Sequence, residues 1–168
     1  METVVVQVRP ARREDSHTLA EIHAEAWRGA YSGIIPHLSL ERMIAHRGAS
    51  WWDEAVGAQQ PPLVLEFDEK PIGYATFGRS RSGGAPFQGE IFEIYLHPIY
   101  QGLGFGGRLF AGARRRLAER RLKGLVVWAL ADNDGACSFY LGLGGKPIAE
   151  GAERFGKVSL RKIAFAWS

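Results

Sequence analysis

The stretch at 91–107, Ile-Phe-Glu-Ile-Tyr-Leu-His-Pro-Ile-Tyr-Gln-Gly-Leu-Gly-Phe-Gly-Gly, restricts the fold of this chain more than any other. An apolar run ends at His97-Pro98, and after a short turn the glycine-rich segment from Gln101 opens onto apolar residues at helical spacing: Gly106, Leu109, Phe110, Ala113 and Leu117. The pattern reads as strand, glycine loop, helix. Such a junction turns unpaired backbone N–H groups outward at a positive helix end, and glycines remove the Cβ atoms that would hold a phosphate away. The ligand chemistry is therefore anionic, and a pyrophosphate fits it best. A literal G-x-G-x-x-G also stands at Gly102, Gly104 and Gly107, with Asp132 roughly where the ribose-binding acid of a dinucleotide site belongs. Context argues against that alternative. A dinucleotide fingerprint follows its strand at once and needs further βα units, whereas here 97–101 intervenes and only one more short helix can follow.

The segment Gln101-x-x-Gly104-x-Gly106, set directly after Ile94-Tyr-Leu-His-Pro, resembles the acyl-CoA pyrophosphate signature of the GNAT superfamily of N-acetyltransferases. A second cluster adds to it: Asn133 follows an apolar strand, and Ser138-Phe-Tyr140 lies on the next helix. It resembles the pattern in which an Asn after the fifth strand contacts the cofactor and a Tyr points at its sulfur. The resemblance covers essentially the whole chain. It implies an α/β GNAT fold: a mixed central sheet of about six to seven strands flanked by helices, in the order βαα-ββ-βα-βα-β. It further implies transfer of an acetyl group from acetyl-CoA to a primary amine, on a small molecule or peptide, by direct attack in a ternary complex. The alternative is an acyl-CoA-binding sensor or accessory protein with no effective base.

With 168 residues the chain is expected to be one domain, large enough to bury roughly 70% of its unfolded surface without a disulfide or metal. Cys137 is the only cysteine, which excludes an internal disulfide and fits a reducing compartment. His17, His23, His37, His46 and His97 lack metal spacing, so no metal is expected. No stretch approaches the ~20 apolar residues of a membrane span, and the N-terminus lacks a basic signal, so a cytoplasmic protein is expected. The formal charge of +3 is mild. The arginines of Arg114-Arg-Arg and Arg120-Arg121 fall on one helix as a solvated face, and no nucleic-acid partner is expected.

In chain order, Val4 to Arg9 reads as a strand stopped by Pro10, and a helix with Asp15 or Ser16 as N-cap runs to about Ala30. Ser39 can cap a second helix, and Trp51-Trp52 begins another helical turn. The strands Leu63 to Phe67 and Ile72 to Phe77 flank a tight turn at Asp68-Glu-Lys-Pro. Gly78 to Gly89 reads as a mobile hairpin loop before the central strand, Glu90 to His97. After the glycine loop a helix runs to about Arg121; Leu125 to Ala131 is a buried strand, Asp134 to Leu143 a short helix, and 157–167 a last strand. Its alternation slips, which calls for a bulge near Arg161-Lys162. The last strands also offer a surface for a homodimer.

The implied chemistry assigns roles. A lysine-like amine of pKa near 10.4 is neutral in only about one molecule in 10³ at pH 7, so a base or desolvation must free it. Glu90 and Glu93 are the candidate bases, directly or through water, and by strand alternation they fall on opposite faces unless a bulge intervenes. Tyr140 is the candidate donor to the leaving thiolate. By the resemblance, Ile94, Tyr95 and Leu96 hold the pantetheine through backbone atoms, with the Leu96 N–H, exposed by a bulge, meeting the oxyanion. Gln101, Gly102, Leu103, Gly104, Phe105, Gly106 and Gly107 hold the pyrophosphate, and Asn133 and Tyr140 complete the cofactor site. Two residues depart from the family pattern: Leu103 stands where a basic residue is frequent, for which Arg108 can substitute, and the ring of Phe105 must fit the core beneath the loop. Trp27 and Tyr31 are candidates to line the acceptor pocket.

Overall fold

The computed structural model describes residues 3–81 and 86–168. Its strands are β1 (Val6–Pro10), β2 (Leu63–Phe67), β3 (Lys70–Arg79), β4 (Gly89–Leu96), β5 (Leu125–Leu130), β6 (Lys146–Phe155) and β7 (Val158–Trp167). They form one sheet in the order β1-β2-β3-β4-β5-β7-β6. Every neighbouring pair is antiparallel except β4 and β5, which run parallel. A sheet with one parallel pair cannot be a doubly wound dinucleotide fold, which removes that alternative.

The β2–β3 turn places Asp68 and Glu69 at positive φ, 50° and 66°, the mirror-image turn whose twist matches a two-residue hairpin. Five helices cover the two faces: α1 (Ser16–Tyr31), α2 (His37–His46), α3 (Ala49–Val56), α4 (Phe105–Glu119) and α5 (Asp134–Gly142). Helix α4 buries Leu109, Phe110, Ala113 and Leu117 in the main core with Leu65, Ile72 and Ile91, as its spacing predicts. Its arginines 114 and 115 are exposed, and Arg120 and Arg121, expected on the same helix, lie exposed just past its end. On the other face α1 and α3 bury Leu19, Ile22 and Trp52 against Val64 and Tyr74, and α2 adds Leu40 and Ile44 beside Leu130 and Phe155.

Several expectations need correction. Pro36, not Ser39, occupies the cap position of α2, and Asp15 turns its carboxylate back to Arg9 and to the Arg12 N–H rather than forward to α1. The loop expected from Gly78 to Gly89 is shorter, since β3 reaches Arg79, β4 starts at Gly89 and Ser80 N–H donates to the Gln88 carbonyl; its residues 82–85 lie outside the described residues. The segment 146–155, assigned no structure from sequence, is the edge strand β6. The irregularity expected near Arg161-Lys162 lies on β6 instead, between Pro147 and Ala149; the β5–β7 register runs unbroken from Leu125↔Trp167 to Leu130↔Lys162. Among the described residues no helix is long and apolar enough to cross a membrane.

Candidate active site

The geometry of the site starts from one extra residue in β4. Thr76 pairs with Glu93 but its neighbour Phe77 pairs with Ile91, so Phe92 is a bulge. The bulge breaks the two-residue alternation, and Glu90, Phe92, Glu93 and Tyr95 all line one cleft. Glu90 and Glu93 therefore share a face, against the simple strand expectation.

A second consequence follows at the other edge of β4. The parallel ladder with β5 consists of Gly89↔Leu125 and Glu90↔Val126 only, after which the strands splay. His97 N–H donates to the Ile72 carbonyl at 2.8 Å, so by alternation Ile94 and Leu96 turn their amides away from β3 and toward the opening. Gln101 Nε2 donates to the Leu96 carbonyl at 3.1 Å, which ties the glycine loop to the strand end. The Leu96 N–H is thus freed by the splay, not by a bulge at its own position.

The opening leads into a cleft of about 630 Å³ lined by Ile94, Tyr95, Leu96, Gln101, Gly102, Gly104, Gly106, Gly107, Asn133 and Tyr140, with Ala26, Gly29 and Ala30 of α1 opposite. Gly104 caps α4 at φ +85° and Gly102 stands at φ +77°; a Cβ on either would project into open space in a conformation L side chains rarely adopt. Behind them the first turn of α4 presents its unpaired N–H groups. This is a cradle for an anion, and it fits the diphosphate of a coenzyme A molecule whose pantetheine amides would lie along the free edge of β4. Two loop side chains point elsewhere: Leu103 is exposed, and Phe105 packs beneath the loop against Phe67 at 5.5 Å between ring centres. Arg108 donates to the Val6 carbonyl at 3.2 Å, so it is committed to β1 rather than standing in for the missing basic residue. Asn133 Oδ1 caps α5 by accepting from Ala136 N–H at 3.2 Å.

The other cleft, about 460 Å³, carries the charge. Glu93 accepts from Arg47 at 2.7 and 2.9 Å, from the Tyr74 hydroxyl at 3.2 Å and from Thr76 Oγ1 at 3.2 Å. Arg47 in turn lies over Trp51, 4.4 Å from its ring centre. Glu90, only 1% exposed, accepts from the Arg81 N–H at 3.0 Å and from its guanidinium at 2.9 Å. Trp27, Tyr31, Phe92, Trp128 and Phe155 supply the aromatic walls.

The clefts meet at Tyr95, which lines both. Its hydroxyl is hydrogen-bonded to that of Tyr31. Tyr140, on the cofactor side, is packed by Phe139, Phe165 and Trp167. Burial raises the pKa of its phenol well above the usual tyrosine value. His23 on α1 is fully buried, with neither ring nitrogen hydrogen-bonded and its ring 4.7 Å from that of Trp27. Burial, then the nearby Arg47 cation, lowers its pKa to about 3.

A seven-stranded mixed sheet split beside its fourth strand, with a glycine-capped helix at the mouth of the split, is the architecture of the GNAT acetyltransferases. The chain belongs to the Acetyltransferase (GNAT) family, which it matches over residues 17–144, and it is a GNAT-type acyltransferase. It is 27% identical over 165 residues to an uncharacterized N-acetyltransferase, YuaI, of Bacillus subtilis (strain 168), an alignment that covers 97% of this chain and 93% of that one. Its fold is similar to that of the PaiA N-acetyltransferase of Thermoplasma acidophilum, solved in complex with coenzyme A, with a TM-score of 0.76 at 20% identity over 94% of this chain and 98% of that one. It is also similar to yncA of Salmonella typhimurium, solved with its cofactor acetyl-CoA, with a TM-score of 0.69 at 22% identity over 96% and 92% of the two chains.

Arg47, Arg81, Trp128, Glu153 and Lys162, which sequence reasoning did not single out, line the charged cleft from just past α2, just past β3, and β5, β6 and β7. No local signal marks them, because they converge only through the sheet order. Among the described residues no group of three His, Cys, Asp or Glu side chains is placed to hold a metal.

Proposed function

We propose that the protein transfers the acetyl group of acetyl-CoA to a primary amine by direct attack, with both ligands bound at once. The observation that carries this reading is the shared wall at Tyr95: an anion-binding, amide-edged cleft on one side and a carboxylate-bearing cleft on the other. Acetyl-CoA supplies a thioester carbonyl open to an amine. The N–H groups of the first turn of α4 and of the loop from Gln101 to Gly107 hold its diphosphate, and the free amides of Ile94 and Leu96 hold its pantetheine as an added strand would. The Leu96 N–H is the donor available where negative charge grows on the carbonyl oxygen.

The two glutamates divide the remaining work. Glu93 is two residues from Tyr95 along β4, roughly 7 Å, while Glu90 is about twice as far. Glu93 is therefore the base nearer the junction. Its four hydrogen bonds hold it fixed, so it accepts the amine's proton through a bound water rather than by swinging to the nitrogen. Glu90 adds negative charge at the far end of the cleft and anchors Arg81. Tyr140 donates a hydrogen bond to the departing sulfur. A phenol with so high a pKa does not surrender its proton to a thiolate of intrinsic pKa ~8.5, so it stabilises the anion without becoming one.

The test is acetyl transfer from acetyl-CoA to a panel of amines, read by release of free thiol. The Glu93→Gln variant should retain coenzyme A binding and need a higher pH for the same rate, because solvent must then deprotonate the amine. An unaltered pH profile would remove Glu93 from proton transfer, and coenzyme A binding without turnover of any amine would leave an acyl-CoA-binding protein that lacks an effective base.

A further inference from the structure

The acceptor cleft holds three cations, and two of them are spoken for: Arg47 by Glu93 and Arg81 by Glu90. The third is Lys162 on β7, whose register partner on β5 is Leu130. Its ammonium lies 4.7 Å from the centre of the Trp128 ring, and among the described residues no carboxylate forms an ion pair with it. The placement is built. At Gly151, on the neighbouring β6, a Cβ would meet Lys162 Cε at 3.2 Å, Trp128 Cζ3 at 3.4 Å and Lys162 Cγ at 3.6 Å, so the missing side chain leaves the channel in which the lysine stem lies. A lysine free to choose extends its ammonium into water. This one is led across a glycine and over an indole, inside the cleft.

The remaining carboxylate of the cleft, Glu153, lies on β6 two residues beyond Gly151, the register partner of Lys162, and among the described residues the two form no ion pair. The Glu153 charge acts on the Tyr31 hydroxyl, which is hydrogen-bonded to Tyr95 at the junction. The cleft thus holds Glu93 two residues from Tyr95 and, among the described residues, leaves an ammonium without an ion pair over Trp128.

We propose that the acceptor is an amine that also bears a carboxylate, an amino acid or short peptide with a free carboxyl end, whose carboxylate is bound by Lys162 on its Trp128 shelf while its amine lies by Tyr31 and Tyr95. The inference rests on the reading of this cleft as the acceptor site. The Lys162 ammonium supplies charge-assisted hydrogen bonds, the indole and Phe155 flank an apolar body, and the incoming ammonium is met by Glu93 and Glu153.

The experiment compares matched pairs, each amino acid or dipeptide against its own carboxamide. The free acids should be used better in kcat/KM by about 10- to 100-fold, the range of a hydrogen bond to a charged group. Lys162→Met should erase that preference by raising KM for the acids while the amides are unchanged, and Lys162→Arg should restore part of it. Gly151→Ala, which crowds the stem and keeps the charge, should weaken the preference in the same direction. Equal use of acid and amide by the wild type, or a preference that survives Lys162→Met, would overturn the proposal and leave acetyl transfer standing. If no amine is acetylated, the reading above fails, and the present one is decided by calorimetric titration of acid and amide into the coenzyme A-loaded protein. Tighter binding of the acid that disappears in Lys162→Met supports it; equal binding overturns it.

Discussion

Tyr140 and His23 are both buried polar residues, and burial leads them to opposite uses. The phenol of Tyr140 stays protonated at every working pH. Its replacement by Phe removes one hydrogen bond to a developing charge, so turnover should fall about 10- to 100-fold with little change in coenzyme A affinity. Steady-state rates beside a binding titration check this, and unchanged turnover would take Tyr140 out of the chemistry. His23 is held neutral, with a folded pKa of about 3 against 6.5 in the open chain. Between those values the unfolded chain binds the extra proton, so stability is complete above about pH 6.5 and falls as the pH drops toward 3. At about 1.4 kcal/mol per pKa unit the loss reaches on the order of 5 kcal/mol. His23→Leu should flatten that acid limb in a series of melts from pH 7 to 4; an equally steep limb would mean that other groups set it. Neither role is written in the residue alone. The sequence marks Tyr140 by its neighbours Ser138 and Phe139, whereas His23 is just one of five scattered histidines until α1 is packed on α3.

At the scale of the element, the glycine loop is legible because the backbone itself demands glycine at two of its positions, Gly102 and Gly104. Gly104→Val tests this demand and the cradle at once. The left-handed φ costs about 1–2 kcal/mol, and the new side chain enters the cradle, so coenzyme A binding should be lost while the fold survives. Retained binding, seen by titration, would refute the loop as the anion site. The bulge at Phe92 was not legible, since β-bulges insert a residue without a compositional mark, and it moved Glu90 to the face of Glu93. Strand β6 escaped for another reason. It is an edge strand, exposed along most of its length and interrupted by Pro147 and Gly151, so neither alternation nor a hydrophobic run announces it. The charged cleft is built partly from such segments, which is why its cations came from the structure alone.

For the molecule as a whole, the sheet is two antiparallel halves joined by a parallel ladder of two residue pairs. Beyond the ladder the amides of Ile94 and Leu96 have no strand to meet. Coenzyme A should therefore slow hydrogen exchange at these two amides and in the first turn of α4, more than at β6; exchange at 94 and 96 indifferent to coenzyme A would exclude the added-strand arrangement. The fold class and the succession of elements along the chain through α5 were readable from the sequence because they depend on local patterns. The lining of the charged cleft was not, because α1, α2, β4, β5, β6 and β7 meet there only after the sheet is ordered.

One side chain, Tyr95, serves as party wall between the two chambers. Any tilt that one tenant imposes on that ring is felt by the other, and the thermodynamic account is symmetrical: whatever factor the acyl donor applies to the amine's dissociation constant, the amine must return to the donor. Cooperativity between donor and acceptor would then need no distant relay, only the thickness of a tyrosine.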